Sequence, residues 1–190
     1  MLCIMGAILL QGILRDGVTT WIPTYIVETY HVSSVIAILT SVILPIFSIL
    51  CYYTASLLYR KKFQNPLFCA AIFFAVSSIA VIILKIITGL SVIGSVACAA
   101  LLTGCMHGVN LMLISTVPKF FKRWGNVSTI SGLLNCCTYI GSAASAYGIA
   151  FLSERHGWNF TINLWLIIAA LGFFFCIISI RKWNRTFREK

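Results

Sequence analysis

The chain has 190 residues, of which 60% are hydrophobic and 9% charged, with a mean hydropathy of +0.99. A soluble domain carries about 25% charged residues, so there is too little polar surface here to cover a globule, and a water-soluble fold is excluded. The formal net charge is +10, but the basic residues sit in short clusters between apolar runs. That placement excludes nucleic acid as the partner and fits the cytoplasmic loops of a multi-pass membrane protein.

Six apolar runs follow one another, at about 2–27, 34–58, 67–87, 92–117, 127–152 and 160–181. Each is near the ~20 residues that cross a bilayer as a helix. They are too long and too uniformly apolar for barrel strands, and a helix satisfies its own backbone in hydrocarbon. The expectation is an all-α bundle of six transmembrane helices over 1–190, with 182–190 as a short tail.

The first run is no signal peptide, because it lacks a basic start, is too long, and carries Arg15 and Asp16 midway. A charge at mid-membrane costs about 2.5–3.5 kcal/mol on insertion scales, so a chain that keeps Arg15 there uses it, for function or for packing as an ion pair. Gln11, Arg15 and Thr19 advance by about 40° per step at helical spacing, with Gly12, Asp16 and Pro23 on the adjoining flank. Gly12, Gly17 and Pro23 weaken the backbone ladder near the charge.

Glu28–Ser33 links the first two runs, Tyr59–Pro66 the second and third, and Thr88–Ser91 the third and fourth. The second and third runs are plain. In the fourth, Thr103, His107 and Asn110 fall within about 60° of arc. Pro118–Asn126 follows. In the fifth, Ser128, Ser131, Asn135, Tyr139 and Ser142 form one stripe. Ser153–Asn159 precedes the plain sixth run.

With Met1 in the cytoplasm, eleven of the fourteen basic residues fall on that side. They are Arg60, Lys61, Lys62, Lys119, Lys122, Arg123, Arg181, Lys182, Arg185, Arg188 and Lys190. This asymmetry predicts both termini inside, in a cell membrane. The eight cysteines lie inside apolar runs without CxxC or Cys/His ligand spacing, so they read as packing residues, and no metal or other cofactor is expected.

Three polar stripes with a cation among them imply a water-filled pathway for an anionic solute. Arginine rather than lysine favours a planar fork on phosphate or carboxylate. The bland alternative is small-residue packing with interhelical hydrogen bonds, worth about 0.6–2 kcal/mol each.

The stretch Leu14, Arg15, Gly17, Val18, Trp21, Pro23, Thr24, Tyr25 resembles the pattern Leu-Arg-x-Gly-Val-x-x-Trp-x-Pro-Thr-Tyr. That pattern belongs to helix seven of the organophosphate:phosphate antiporter family, within the major facilitator superfamily. Gly132, Tyr139 and Gly141 resemble that family's Gly-x6-Tyr-x-Gly on helix eleven. Gly148, Gly157 and Trp158 look like the ending of that helix, and Arg60-Lys61-Lys62 like a degenerate superfamily loop. The resemblance covers the chain as the C-terminal six-helix half of a twelve-helix transporter.

It implies that Arg15 is one of two arginines holding a substrate phosphate and that Tyr139 faces the substrate. His107 stands where the family often has a tyrosine, and Gly12 where relatives carry one. Asp16 departs from the glycerol phosphate members. It could lower anion affinity, pair with a cation of the other half, or join proton coupling.

The expected function is alternating-access transport of small phosphorylated anions, with no enzymatic activity. Arg15, Tyr139, His107, Asn135, Gln11 and Asn110 would bind substrate, and Asp16 and His107 are the coupling candidates. His107, with an ordinary pKa near 6.5, suits a proton-coupled cycle. The alternative is a proton-coupled carrier of carboxylates or drugs, and an intramembrane enzyme is remote. The resemblance also implies an N-terminal half, on a longer chain of which this is a fragment or replaced by a second copy of this one.

Overall fold

The computed structural model describes residues 1–187, apart from the side chains of Thr40, Ser41, Arg123 and Phe187, while Arg188, Glu189 and Lys190 of the expected tail lie outside the described residues. The described chain is helical throughout, with no strand. The helices are α1 (Leu2–Tyr30), α2 (Ser34–Ser41), α3 (Ile43–Lys61), α4 (Pro66–Ile87), α5 (Val92–Asn110) and α6 (Val127–Phe187). A π-helical turn (Leu111–Thr116) and a 3₁₀ helix (Val117–Trp124) carry α5 onward.

Five helical stretches are long and apolar enough to cross a membrane: Leu2–Tyr30, Ser34–Lys61, Pro66–Ile87, Val92–Lys122 and Val127–Thr186. Six separate helices were expected, and the difference lies in α6, where the fifth and sixth runs join. Ser153–Asn159 stays helical except at Gly157, whose φ of 76° and ψ of 175° break the ladder. Only glycine adopts that backbone region readily.

The break reverses the chain. Before it, Thr138 lies against Gly12 while Ser145 and Ile149 lie against Gly17. After it, Trp158 Nε1 donates to Glu28 Oε2 at 2.7 Å, and Phe175 comes back to Gly6. The two limbs of α6 therefore run past α1 in opposite directions.

Other boundaries also move. Glu28–Tyr30 is helical rather than loop, because the Tyr30 hydroxyl is anchored beside the α4–α5 turn, 2.7 Å from Ser95 Oγ and accepting from Gly89 N at 3.1 Å. The second run is broken at Val42, three residues before Pro45. Proline there cannot donate to the Ser41 carbonyl and its ring crowds that turn. Pro118 likewise leaves the Ile114 carbonyl without its helical donor, and Ser131 Oγ of α6 approaches it at 3.5 Å. Pro118–Trp124, expected as connection, winds as 3₁₀ helix. Asn65 caps α4, accepting from Leu67 N at 2.9 Å, with Pro66 at the first helical position.

The core lies among α1, α4, α5 and α6, around Tyr25, Phe74, Leu102, Met106 and Trp165. α3 packs on α5 and leaves Ile46, Ile49, Leu50 and Tyr53 exposed. The basic clusters around Lys62, Lys122 and Lys182 meet at one end of the bundle. There Asn65 Nδ2 donates to Asn184 Oδ1 at 2.9 Å and Phe120 stacks edge-on against Trp183.

Candidate functional site

The close crossing of α1 and the first limb of α6 places the charged pair. A Cβ on Gly12 would run into the Thr138 carbonyl oxygen, and one on Gly141 into that of Leu9. Glycine at both positions lets the two backbones touch. One turn further along, Arg15 and Asp16 emerge on the open side of the crossing.

Arg15 Nε donates to Asp16 Oδ1 at 2.6 Å and Nη2 to Oδ2 at 2.8 Å, a fork-on-carboxylate pair. The Arg15 side chain is 16% exposed and that of Asp16 35%. Asp16 is thus engaged by the cation beside it. A guanidinium has five N–H donors, and the remaining three have no protein acceptor among the described residues. Ser142 of α6 lies beside Asp16, its hydroxyl donating to the Thr138 carbonyl at 3.0 Å, and His107 of α5 lies within the field of both charges. Arg15, Asp16, His107 and Ser142 thus form one cluster from three helices.

Beside it opens a cavity of about 490 Å³, lined by Thr19 of α1, Leu44, Pro45, Ser48, Ile49 and Tyr52 of α3, and His107. Its size falls in the usual range for small-molecule pockets, roughly 300–1,000 Å³. Thr19 Oγ1 donates to the Arg15 carbonyl at 2.7 Å, tying the wall of the cavity to the turn that carries the cation.

The other sequence-derived residues divide. Tyr139 is 67% exposed on the first limb of α6, one turn before Ser142, and Asn135 is half-buried one turn earlier still. Asn110 is half-buried at the end of α5. Gln11 leaves the stripe it shares with Arg15 and Thr19. It is wholly buried and its Nε2 donates to the Met106 carbonyl at 3.0 Å, while Oε1 finds no partner. Thr103 is buried, its hydroxyl spent on the carbonyls of Ala99 and Ala100 at 3.1 Å.

Sequence reasoning missed two contributors. The α3 wall, with Ser48 and Tyr52, stands in a run that looked plain. Pro45 was the one signal in it, a helix breaker inside an apolar run. Ser142 stood in the α6 stripe but was not singled out for the charged pair. Among the described residues no group of three or more metal-ligating side chains comes together.

No family model matches the chain, and no curated protein matches it.

Proposed function

We propose that the chain is half of a secondary active transporter for small phosphorylated anions, of the kind that rocks two six-helix halves about a midplane site. One observation carries this reading. A cation with unengaged donors sits about midway along a 29-residue apolar helix, beside a cavity of small-solute size. A residue so costly to place is a functional site by default. The two opposed limbs of α6 count as two crossings, giving six in all, and the gathering of basic clusters at one end supports both termini in the cytoplasm.

In this reading Arg15 binds the anion with its free N–H groups. His107 and Tyr139 contact the organic part, with Asn135, Asn110 and, through water, Gln11 shaping the pathway. The remaining side of the site comes from an N-terminal half or a second copy of this chain. The resemblance of Leu14–Tyr25 to the organophosphate:phosphate antiporters makes inorganic phosphate the exchange partner.

The test is counterflow in membrane vesicles from cells producing the protein, loaded with phosphate and offered phosphorylated and carboxylated compounds. Labelled phosphate should leave only when an organophosphate enters, and Arg15→Lys should slow this about tenfold or more by losing the planar fork. Exchange untouched by Arg15→Lys would sink the phosphate role.

A second reading, a proton-coupled carrier of carboxylates or drugs, draws on Asp16 and His107 lying in each other's field. It predicts uptake that collapses when the proton gradient is dissipated, whereas phosphate exchange does not.

A further inference from the structure

At the basic end of the bundle, far from the Arg15 cluster, a groove of about 570 Å³ runs between α1, the 3₁₀ helix and the last turns of α6. Its walls are of two kinds. Leu2 and Ile4, Phe121 and Trp124, and Ile178 and Trp183 make an apolar trough. Ser179, Lys182 and Thr186 stand three and four residues apart on α6, one polar edge along the same trough. The side chain of Ser179 is turned onto the Phe175 carbonyl at 2.8 Å and that of Thr186 onto the Lys182 carbonyl at 3.0 Å. Lys182 therefore carries the charge of that edge.

Among the described residues the surroundings have one sign. The chain holds four acids, Asp16, Glu28, Glu154 and Glu189. Asp16 is at mid-helix, and Glu28 bonds Trp158 beside the turn that bears Glu154, at the opposite end. None of the described acids lines the groove, and Lys182 does. An apolar trough suits an acyl chain, and the Lys182 ammonium at its edge suits an acidic headgroup. Free phosphate would use the ammonium and leave the trough empty.

We infer that this groove is a binding site for one anionic phospholipid, its acyl chain along Ile4 and Ile178 and its headgroup on Lys182. Basic pockets between membrane helices on the cytoplasmic side recognise such headgroups, and each lysine near the surface contributes enough for about a fivefold preference. The inference rests on the membrane placement of the chain and not on the transport proposal.

The test uses the full chain in phosphatidylcholine vesicles with rising fractions of either phosphatidylglycerol or phosphatidylcholine brominated in the acyl chains. Bromine quenches tryptophan on contact, and Trp124 and Trp183 line the groove. Brominated phosphatidylglycerol should quench with about fivefold higher apparent affinity than brominated phosphatidylcholine, and high salt should shrink the gap. Lys182 is exposed, so Lys182→Gln leaves the fold intact and should bring the two lipids near parity. Lys182→Glu should make the anionic lipid the weaker binder. Arg155→Gln, at the far end, should keep the wild-type preference. Equal quenching by both lipids in the wild-type protein, a preference that survives Lys182→Glu, or displacement by inorganic phosphate overturns the inference.

Discussion

The contact between Gly141 and the Leu9 backbone sets the separation of α1 from α6, and adding one methyl group there should show it. A Cβ at position 141 collides with the Leu9 carbonyl oxygen, with Leu9 C and Ile13 N each 3.1 Å away. All three are backbone atoms of a helix, so no side chain can rotate aside. The helices must part by roughly an ångström, and overpacking of this kind costs about 1–3 kcal/mol. Alanine in place of glycine inside a helix returns about 0.5–1 kcal/mol. The net expectation for Gly141→Ala is a loss of about 0.5–2 kcal/mol.

The same limb supplies its own controls. A Cβ at Gly132 or Gly148 meets nothing within 4 Å, so alanine there should gain about 0.5–1 kcal/mol. Equilibrium unfolding in mixed micelles, followed by circular dichroism as the denaturing detergent fraction rises, would rank the three variants in one experiment. If Gly141→Ala proves as stable as Gly132→Ala, the backbone crossing does not have the closeness described, and the placement of Arg15 loses its support.

Three other outcomes are expected. Asp16→Asn removes a negative charge from beside the anion while leaving a neutral acceptor for Arg15, so phosphate should inhibit transport at about tenfold lower concentration. Weaker inhibition would mean that Asp16 serves chiefly to orient the guanidinium. Cys51 of α3 packs against α5 beside Cys105, its sulfur 2.8 Å from where a Cβ on Gly104 would stand. Mild oxidation with diamide should therefore join them, lowering the mass by two hydrogens and shielding two thiols from maleimide, and Cys51→Ser should abolish both effects. Tyr30→Phe removes the hydroxyl that gathers Ser91, Ser95 and Gly89. It should cost about 1 kcal/mol in thermal unfolding and speed hydrogen exchange at the Gly89 amide.

The apolar runs were legible because bilayer thickness imposes a length that composition alone reveals. The breaks were less so. Pro45 stands in the sequence as a breaker, but an apolar run hides where the ladder fails, and the break falls at Val42, three residues earlier. The last link reads as Ser153–Asn159, but the helix breaks within it at Gly157 alone; polar Ser153–His156 gave no sign of staying helical, since those residues fit either state.

Within the site, the cation and its helix were visible at once, while its partner was not. Side chains one apart on a helix point about 100° away from each other, so Asp16 reads as facing elsewhere. Only the reach of arginine closes the fork. Gln11 misled for a different reason. Angular position is constant along a stripe, but the neighbour is not: Gln11 meets the Met106 carbonyl of α5, whereas Arg15 turns to the acid beside it. Tyr30 was hidden because its anchor at Ser95 lies sixty-five residues away in sequence.

The pairing of Arg15 with the very next residue also bears on how the protein is made. The two charges leave the ribosome together and carry none in sum. Entering lipid one at a time, each would cost about 2.5–3.5 kcal/mol at the centre of a helix. As a closed fork they approach the bilayer as a dipole, and α1 can partition into it before the helices that follow it exist. With its counter-ion on α5 instead, α1 would have to wait beside the translocon until α5 was synthesised, exposed to quality control for that whole interval. An acid at position 16 thus lets a helix built around a cation insert in the order in which it is translated.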